Sequence, residues 1–300
     1  MGGNVFNDAK PIKQEYIKNT LNNYIHELER VFPKANIFDK FITVGSCGKV
    51  PISGDIDLAI DISHFKPISS KLKIFNIDKN EFKEKLRIYK NRARTSTIYQ
   101  LKIKTLLYFI VRQLNNNSIS IAVSDKIGIG SLFTTFNQYD DKNNKLNKRV
   151  QVDIMIGNQE WLIFSYFSTS YKSNIKGLHR TQLMLSLFAH KGFVFSHLYG
   201  VKNKKTQKIV ATTVYDAINL LSNLYNIKFA EKNLNNYNDL HKFIQNIPDY
   251  TSVIDIYLKI LDKTRTDIPY DLQSYWINNE LRLNLTGKFL PKTSKLYKEV

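Results

Sequence analysis

The stretch Val44-Gly45-Ser46-Cys47-Gly48-Lys49-Val50-Pro51-Ile52-Ser53-Gly54-Asp55-Ile56-Asp57-Leu58-Ala59-Ile60 decides how the rest of the chain is read. Its right half sets Asp55 and Asp57 two residues apart among Ile56, Leu58 and Ile60. Side chains alternate along a strand, so both carboxylates fall on one face and the three aliphatics on the other. Two neighbouring anions repel and each resists burial, so the pair is costly unless a cation sits between them. The left half is a short apolar strand, Phe41–Val44, that runs into Gly45-Ser46. Without a Cβ in the way, backbone N–H groups there can approach an anion; the Ser46 hydroxyl adds a donor and Lys49 a charge. A lone Asp-x-Asp reads most simply as the wet face of a strand. Gly-Ser, then Gly54 and the acidic strand about ten residues on, is a narrower combination. Asp61 lies on the same face and reads as a water-facing residue.

Outward from this stretch, a third carboxylate sits in Gln151-Val152-Asp153-Ile154-Met155-Ile156, again inside an apolar strand. Three carboxylates of this kind suit Mg²⁺, which takes hard oxygen ligands and leaves its other positions to water and phosphate oxygens. Two such ions can clamp the attacking and leaving oxygens of an in-line phosphoryl displacement. Asp55, Asp57 and Asp153 are therefore the candidate catalytic residues and metal ligands, and Gly45, Ser46 and Lys49 the candidate phosphate loop.

The remaining pattern alternates helices and strands. Pro11 opens a helix with Ile17, Leu21, Tyr24, Ile25, Leu28 and Phe32 on one face. Residues 81–114 read as one or two helices. Ile119–Val123, Ser131–Phe136 and Val150–Ile156 read as strands, the last two joined by the polar turn Asp140–Asn147. Leu178–Lys191 and Val214–Tyr225 are helical, with a hairpin over Phe193–Val210 between them. Tyr237–Ile244, Val253–Leu261 and Leu272–Leu283 are short amphipathic helices, and Asn115–Asn117 and Asn233–Asn236 read as loops.

Val44-Gly45-Ser46 through Ser53-Gly54-Asp55-Ile56-Asp57-Leu58 resembles the Gly-Ser…Asp-x-Asp signature of the DNA polymerase β nucleotidyltransferase superfamily. Arg149-Val150-Gln151-Val152-Asp153 resembles the strand that bears its third carboxylate. Phe164-Ser165-Tyr166-Phe167-Ser168-Thr169-Ser170 is similar to the Tyr-Phe-Thr-Gly-Ser segment of X-family polymerases, with Thr169 where that family has Gly. The stretches from His179 to Asp216–Leu221 are similar to their nucleotide-selecting subdomain. The chain also resembles small nucleotidyltransferases encoded by bacteriophages. The resemblance implies an α/β (α+β) fold: a mixed-sheet palm with an N-terminal helix over residues 1–165, a nucleotide-binding, thumb-like subdomain over 166–228, and a helical C-terminal region over 229–300. It implies nucleoside triphosphate, ATP among the candidates, held between palm and subdomain with Tyr166 and Phe167 at the sugar. It further implies two Mg²⁺ ions, with Mn²⁺ as a substitute, and transfer of a nucleoside monophosphate to a hydroxyl. Nothing before Phe41 resembles the helix-hairpin-helix modules that grip duplex DNA in template-directed relatives, so a template-independent addition to a nucleic-acid 3′ end is expected. A protein or small-molecule acceptor, a template-directed X-family-like polymerase, and an inactive nucleic-acid-binding palm stay open.

Charge bears on the acceptor. Forty-four Lys and Arg against twenty-six Asp and Glu leave +18 over 300 residues, which fits a polyanionic partner, RNA or DNA, or equally a chain rich in Lys and Asn throughout. Lys172, Lys176, His179 and Arg180 cluster at a helix entrance, as a triphosphate site or as a solvated basic loop. Arg87, Arg92 and Arg94, with Lys83, Lys85, Lys90, Tyr89 and Tyr99 nearby, form either a phosphate-tracking, base-stacking run or the wet face of a helix. The single cysteine, Cys47, excludes an intramolecular disulfide framework and a cysteine zinc site. His190, His197 and His241 lack metal-ligand spacing and read as structural. No apolar run spans a bilayer and no secretory h-region opens the chain, so a soluble, cytoplasmic protein is expected, host-cytoplasmic if phage-encoded. Oligomeric state is not legible.

Overall fold

A computed structural model describes residues 5–93, 96–167, 175 and 177–283. The chain divides into two compact units, Met1–Tyr171 with His197–Tyr199, and Lys172–Ser196 with Gly200–Val300.

In chain order the first unit comprises β1 (Ile12–Lys13), α1 (Gln14–Val31), β2 (Ile42–Val44), β3 (Ile52–Ser53), β4 (Ile56–Asp61), α2 (Ile68–Ile74), α3 (Lys79–Arg92), α4 (Ile98–Asn117), β5 (Ala122–Val123), β6 (Ser131–Tyr139), β7 (Lys145–Gly157) and α5 (Gln159–Ser165). Five strands form a mixed sheet in the order β2-β4-β7-β6-β5, in which β4 and β7 run parallel and the other pairs antiparallel. One face of the sheet carries Ile56, Leu58, Ile60, Leu132, Phe136, Val150, Val152, Ile154 and Ile156. These pack with Tyr24 and Leu28 of α1 and with Ile103, Leu106, Leu107, Ile110 and Leu114 of α4 into one core. The opposite face carries Asp57, Thr135, Gln151 and Asp153 and, farther along, the small apolar cluster of Val44, Ala59, Met155 and Leu162, while Thr134 stays on the core face against the Tyr24 hydroxyl. That separation follows from period-two alternation, because a single apolar face is enough to hold α1 and α4. The fold is the mixed α/β arrangement expected, with a helical C-terminal part.

Local chemistry explains the element boundaries. Asp78 caps α3 through the Asn80 and Glu81 amides, and Thr97 with Gln100 forms a capping box on α4. The helix expected from Pro11 starts at Gln14, because Ile12 and Lys13 pair with Ser53 and Ile52 across β1 and β3. Asn115–Asn117, expected as a loop, is the last turn of α4: Leu114 is fully buried and Asn117 Nδ2 donates to Gln113 O at 3.0 Å. Packing of the preceding turn overrides the low helix propensity of asparagine.

The second unit comprises α6 (Gly177–His190), β8 (Phe193–Ser196), β9 (Gly200–Asn203), β10 (Ile209–Ala211), α7 (Val214–Tyr225), α8 (Tyr237–Ile244), α9 (Tyr250–Thr264) and α10 (Gln273–Leu283). The expected hairpin is a three-stranded antiparallel sheet, β10-β9-β8. Leu183, Met184, Leu187, Phe188, Leu240, Ile244, Val253, Ile254, Tyr257 and Leu261 are all buried there. No helix among the described residues is long and apolar enough to cross a membrane.

Candidate active site

The parallel ladder between β4 and β7 sets Asp57 directly opposite Asp153. Asp55, immediately before β4, shares the parity of Asp57. One carboxylate oxygen from each of the three lies within 4.8 Å of the others. Asp55 and Asp153 are buried, and Asp57 keeps some surface open to solvent while protein crowds it elsewhere. Burial lifts the carboxyl of Asp55 above its ordinary value. Burial, then the charges of Asp55 and Asp153, lift Asp57 well above its own. Asp153 is pushed up to about 7, by burial first and by Asp55 second, against the hydrogen bond from Gln151. Proteins rarely assemble three mutually repelling, desolvated carboxylates unless a cation offsets the charge.

The residues fit such a cation. All three donors are hard oxygens, and Asp55 Oδ2 is buried with no hydrogen-bond partner among the described residues. A buried orphan carboxylate oxygen is expensive, and a divalent ion would satisfy it.

The glycine loop closes over this cluster. Gly45 has φ +66°, and a Cβ built on it would collide with Asp57 Oδ2. Only glycine lets the chain pass so close to the carboxylate at that φ. The Gly45 amide donates to Tyr166 O at 3.0 Å, and Gly45 forms an isolated parallel bridge with Phe167. Ser46 follows, its carbonyl accepting from the Lys49 amide at 3.0 Å and from Ser53 Oγ at 3.3 Å. Lys49 Nζ lies 5.2 Å from the Phe167 ring centre. Burial, then Asp57 and Asp153, push the Tyr166 phenol upward. Gly45 and Tyr166 therefore stand beside the carboxylates, and Ser46, Lys49 and Phe167 are joined to them through the loop. Cys47 is buried in the same loop with its thiol pushed up to about 12, chiefly by burial and then by Asp57 and Asp55, so it is held as an inert thiol.

Other candidates are placed differently. His179 and Arg180 lie in the first turn of α6 and are buried within the second unit. His179 Nδ1 meets the Tyr257 hydroxyl at 2.8 Å, and Arg180 Nε donates to Leu234 O. Lys172, Lys176 and Arg94 lie outside the described residues. Arg87 and Arg92 are exposed on α3. On the same helix pair, Lys85 Nζ stands 5.2 Å from the Tyr89 ring centre and 3.7 Å from that of Tyr108, and Lys104 Nζ 4.9 Å from Tyr89. These tyrosines thus serve as platforms for lysines of their own face. Asp61 accepts from the Ser63 and Gln159 amides at 2.8 and 2.9 Å, joining the end of β4 to the start of α5. His190 meets the Tyr225 hydroxyl at 3.2 Å, and His241 lies between the Tyr250 hydroxyl and Asp271, each at 2.7 Å.

Gln151 was not singled out from the sequence. It is fully buried, and its Nε2 donates to Asp153 Oδ1 at 2.8 Å while its Oε1 accepts from the Val5 amide at 3.0 Å. Its parity with Asp153, two residues away, was the available signal.

No protein-family profile matches the chain, and no curated protein matches it. Among solved structures, it is similar to two crystal structures of Leishmania infantum polymerase beta. One is a ternary P/T complex, at 12% identity over 75% of this chain and 76% of that chain, with a TM-score of 0.41. The other is a ternary gap complex, at 12% identity over 74% of this chain and 69% of that chain, with a TM-score of 0.40.

Proposed function

We propose that the protein is a Mg²⁺-dependent nucleotidyltransferase that moves a nucleoside monophosphate from an NTP or dNTP to a hydroxyl, most favourably at a nucleic-acid 3′ end. The observation that carries this reading is the in-register pair Asp57–Asp153 with Asp55 beside it, three oxygens within 4.8 Å under a glycine loop. Bound at these carboxylates, a pair of divalent ions would supply charge neutralisation at the transferring phosphoryl group. Asp55 and Asp57 hold the negative charge that anchors them. Asp153 has Oδ1 fixed by Gln151, which leaves Oδ2 to accept the proton of the attacking hydroxyl. The Gly45 amide is taken by Tyr166 O, so glycine there serves close approach, while the Ser46 backbone amide and hydroxyl are offered to the β- and γ-phosphates and Lys49 adds positive charge. Tyr166 and Phe167, beside Gly45, border the sugar. Arg87 and Arg92 on α3 provide exposed charge for an acceptor's phosphates.

The test incubates the protein with Mg²⁺ or Mn²⁺, each labelled NTP and dNTP, and RNA, DNA and protein acceptors, the DNA supplied both alone and annealed to a template. Label transfer with stoichiometric pyrophosphate release is expected. Absence of transfer with every nucleotide and acceptor, under either metal, would overturn the reading.

A further inference from the structure

The polar face of the sheet continues past the carboxylates. Along β7, Arg149, Gln151 and Asp153 share one parity, and their partners on β6 are Asn137, Thr135 and Phe133. This ladder is regular over these residues, so Arg149 lies on the face that carries Asp153, four residues or about 13 Å away along the strand. At that point a cavity of about 760 Å³ opens, lined by Asp8, Lys10, Pro11, Asn137, Asn147, Lys148 and Arg149.

The cavity is built. Its outer wall, the segment before β1, is tied to β7 by the Lys10 amide, which donates to Arg149 O at 2.8 Å. Gln138, itself buried, donates through Nε2 to Lys10 O, Pro11 O and Arg149 O. The guanidinium of Arg149 is oriented by Nε on Thr135 Oγ1 at 2.9 Å and by Nη2 on Thr135 O and Ser120 O at 2.7 and 2.9 Å. Nη1 has no protein partner among the described residues. Among the described residues the one acid on the cavity wall is Asp8, 3.6 Å from Arg149 Nε. Lys10 and Lys148 are exposed and form no ion pair among the described residues. Three cations against one acid, with a guanidinium held in place, make a receptor for a phosphate-like anion.

We propose that this cavity binds a backbone phosphate of a single-stranded nucleic-acid acceptor whose 3′-hydroxyl lies at Asp153. The inference rests on the nucleotidyl-transfer reading for the location of the reacting end, and it narrows that reading's acceptor to a polynucleotide. Gln151, between Asp153 and Arg149, is fully buried with the Val5 amide bonded to it, so the acceptor passes outside that segment; a strand stacked at about 3.4 Å per nucleotide needs about four nucleotides or more to do so. A small-molecule acceptor has no use for a second cationic site so far from the reacting atoms. An acidic peptide carries its charge on flexible side chains, whereas a polynucleotide presents one phosphate per residue at the reach the strand fixes.

The experiment measures binding of the full chain to a fluorescent, unstructured eight-nucleotide RNA and DNA by anisotropy, without triphosphate, across a salt series. The double variant Lys10→Glu/Lys148→Glu is compared with Lys204→Glu/Lys205→Glu, which makes the same charge change on the exposed β9–β10 turn. Loss of at least tenfold in affinity for the first pair is expected, with the log–log salt slope shallower by about 0.7 for each contact removed. The second pair should shift affinity less than twofold. Equal losses for both pairs would mean that bulk charge and not the cavity binds, and would overturn the proposal. So would unchanged binding by the first pair, or competition by a glutamate-rich peptide as effective as that by an unlabelled oligonucleotide of equal charge. Transfer activity is read separately. Selective loss of binding in a chain that never transfers a nucleotide supports the cavity and removes the catalytic reading. Intact transfer with binding unaffected by Lys10→Glu/Lys148→Glu removes the cavity alone.

Discussion

Asp57 faces Asp153 across the β4–β7 ladder, so a change at either carboxylate alters the field that the other feels. Asp57→Asn keeps the volume and removes one of three repelling charges. We expect nucleotidyl transfer to fall by at least about 10³-fold, while the metal-free protein melts at the same or a higher temperature. A variant that retains more than a tenth of wild-type turnover in Mg²⁺ would show that Asp57 holds no metal. The two glycines of the opening stretch separate in the same way. Gly45 has φ +66° with Asp57 Oδ2 where a Cβ would go, whereas Gly54 has open space there and no positive φ. Gly45→Ala is expected to cost about 1–2 kcal/mol from the backbone alone and to abolish transfer. Gly54→Ala should stay within about 0.5 kcal/mol of wild type. Equal urea midpoints for the two variants would contradict the close approach of the loop to the carboxylate. The sequence marked Gly45 as a point of close backbone approach, but neither its positive φ nor the Asp57 carboxylate as its neighbour was legible there. The acidic pair was legible, because alternation fixes which side chains share a face. Gln151 sat on the same alternation, but an amide in a strand carries no charge cost that would draw attention to it.

Elements were legible where a pattern ran long enough to repeat. The helix at Tyr237–Ile244 and the strand at Ile56–Asp61 follow their sequence signals closely. The two-residue strands β1 and β3 and the seven-residue α2 show too little of either period to be read. Burial of polar groups was less accessible still. His179 and Arg180 read as a basic helix entrance, yet packing with residues of α9 and of the turn before α8 encloses them, and no local spacing announces a distant tyrosine hydroxyl. The α2–α4 region adds a prediction of its own. Residues 66–117 hold thirteen Lys and Arg against three Asp and Glu, and so carry ten of the eighteen net positive charges. If the exposed Arg87 and Arg92 meet acceptor phosphates, Arg87→Ala/Arg92→Ala should flatten the salt slope of single-strand binding by about 1.4, two contacts at about 0.7 each. An unchanged slope would return α3 to the role of a solvated helix face.

Across the whole molecule, the carboxylate cluster couples stability to pH and to metal. In the metal-free protein Asp153 has its pKa raised from 3.8 to about 7. Between those values the folded chain holds a proton that the unfolded chain has released. The slope of stability with pH follows protons bound in the unfolded state minus those bound in the folded state, which is negative here. The contribution of Asp153 is therefore fully present below about pH 4 and is lost as pH rises through about 7. Asp55 and Asp57, also raised, act in the same direction. The carboxylates held low, such as Glu27 at about 2 beneath Arg30, have the opposite sign, and their stabilisation is lost only as pH falls through their folded values. A comparison between pH 5 and pH 8 leaves those groups ionised throughout. Histidine protonation and the growing net charge also act across this range, and both are common to samples with and without metal. The informative quantity is thus the rise in apparent melting temperature on replacing EDTA with saturating Mn²⁺ or Mg²⁺, taken at each pH. A divalent ion binding the deprotonated cluster competes with protons at pH 5 and has no such competitor at pH 8. The metal-induced rise should therefore be larger at pH 8, by roughly 3 °C or more for a chain of this size. In Asp57→Asn the difference between the two pH values should shrink. An equal rise at both pH values, or a full rise in Asp57→Asn, would show that the cation acts somewhere other than the three carboxylates.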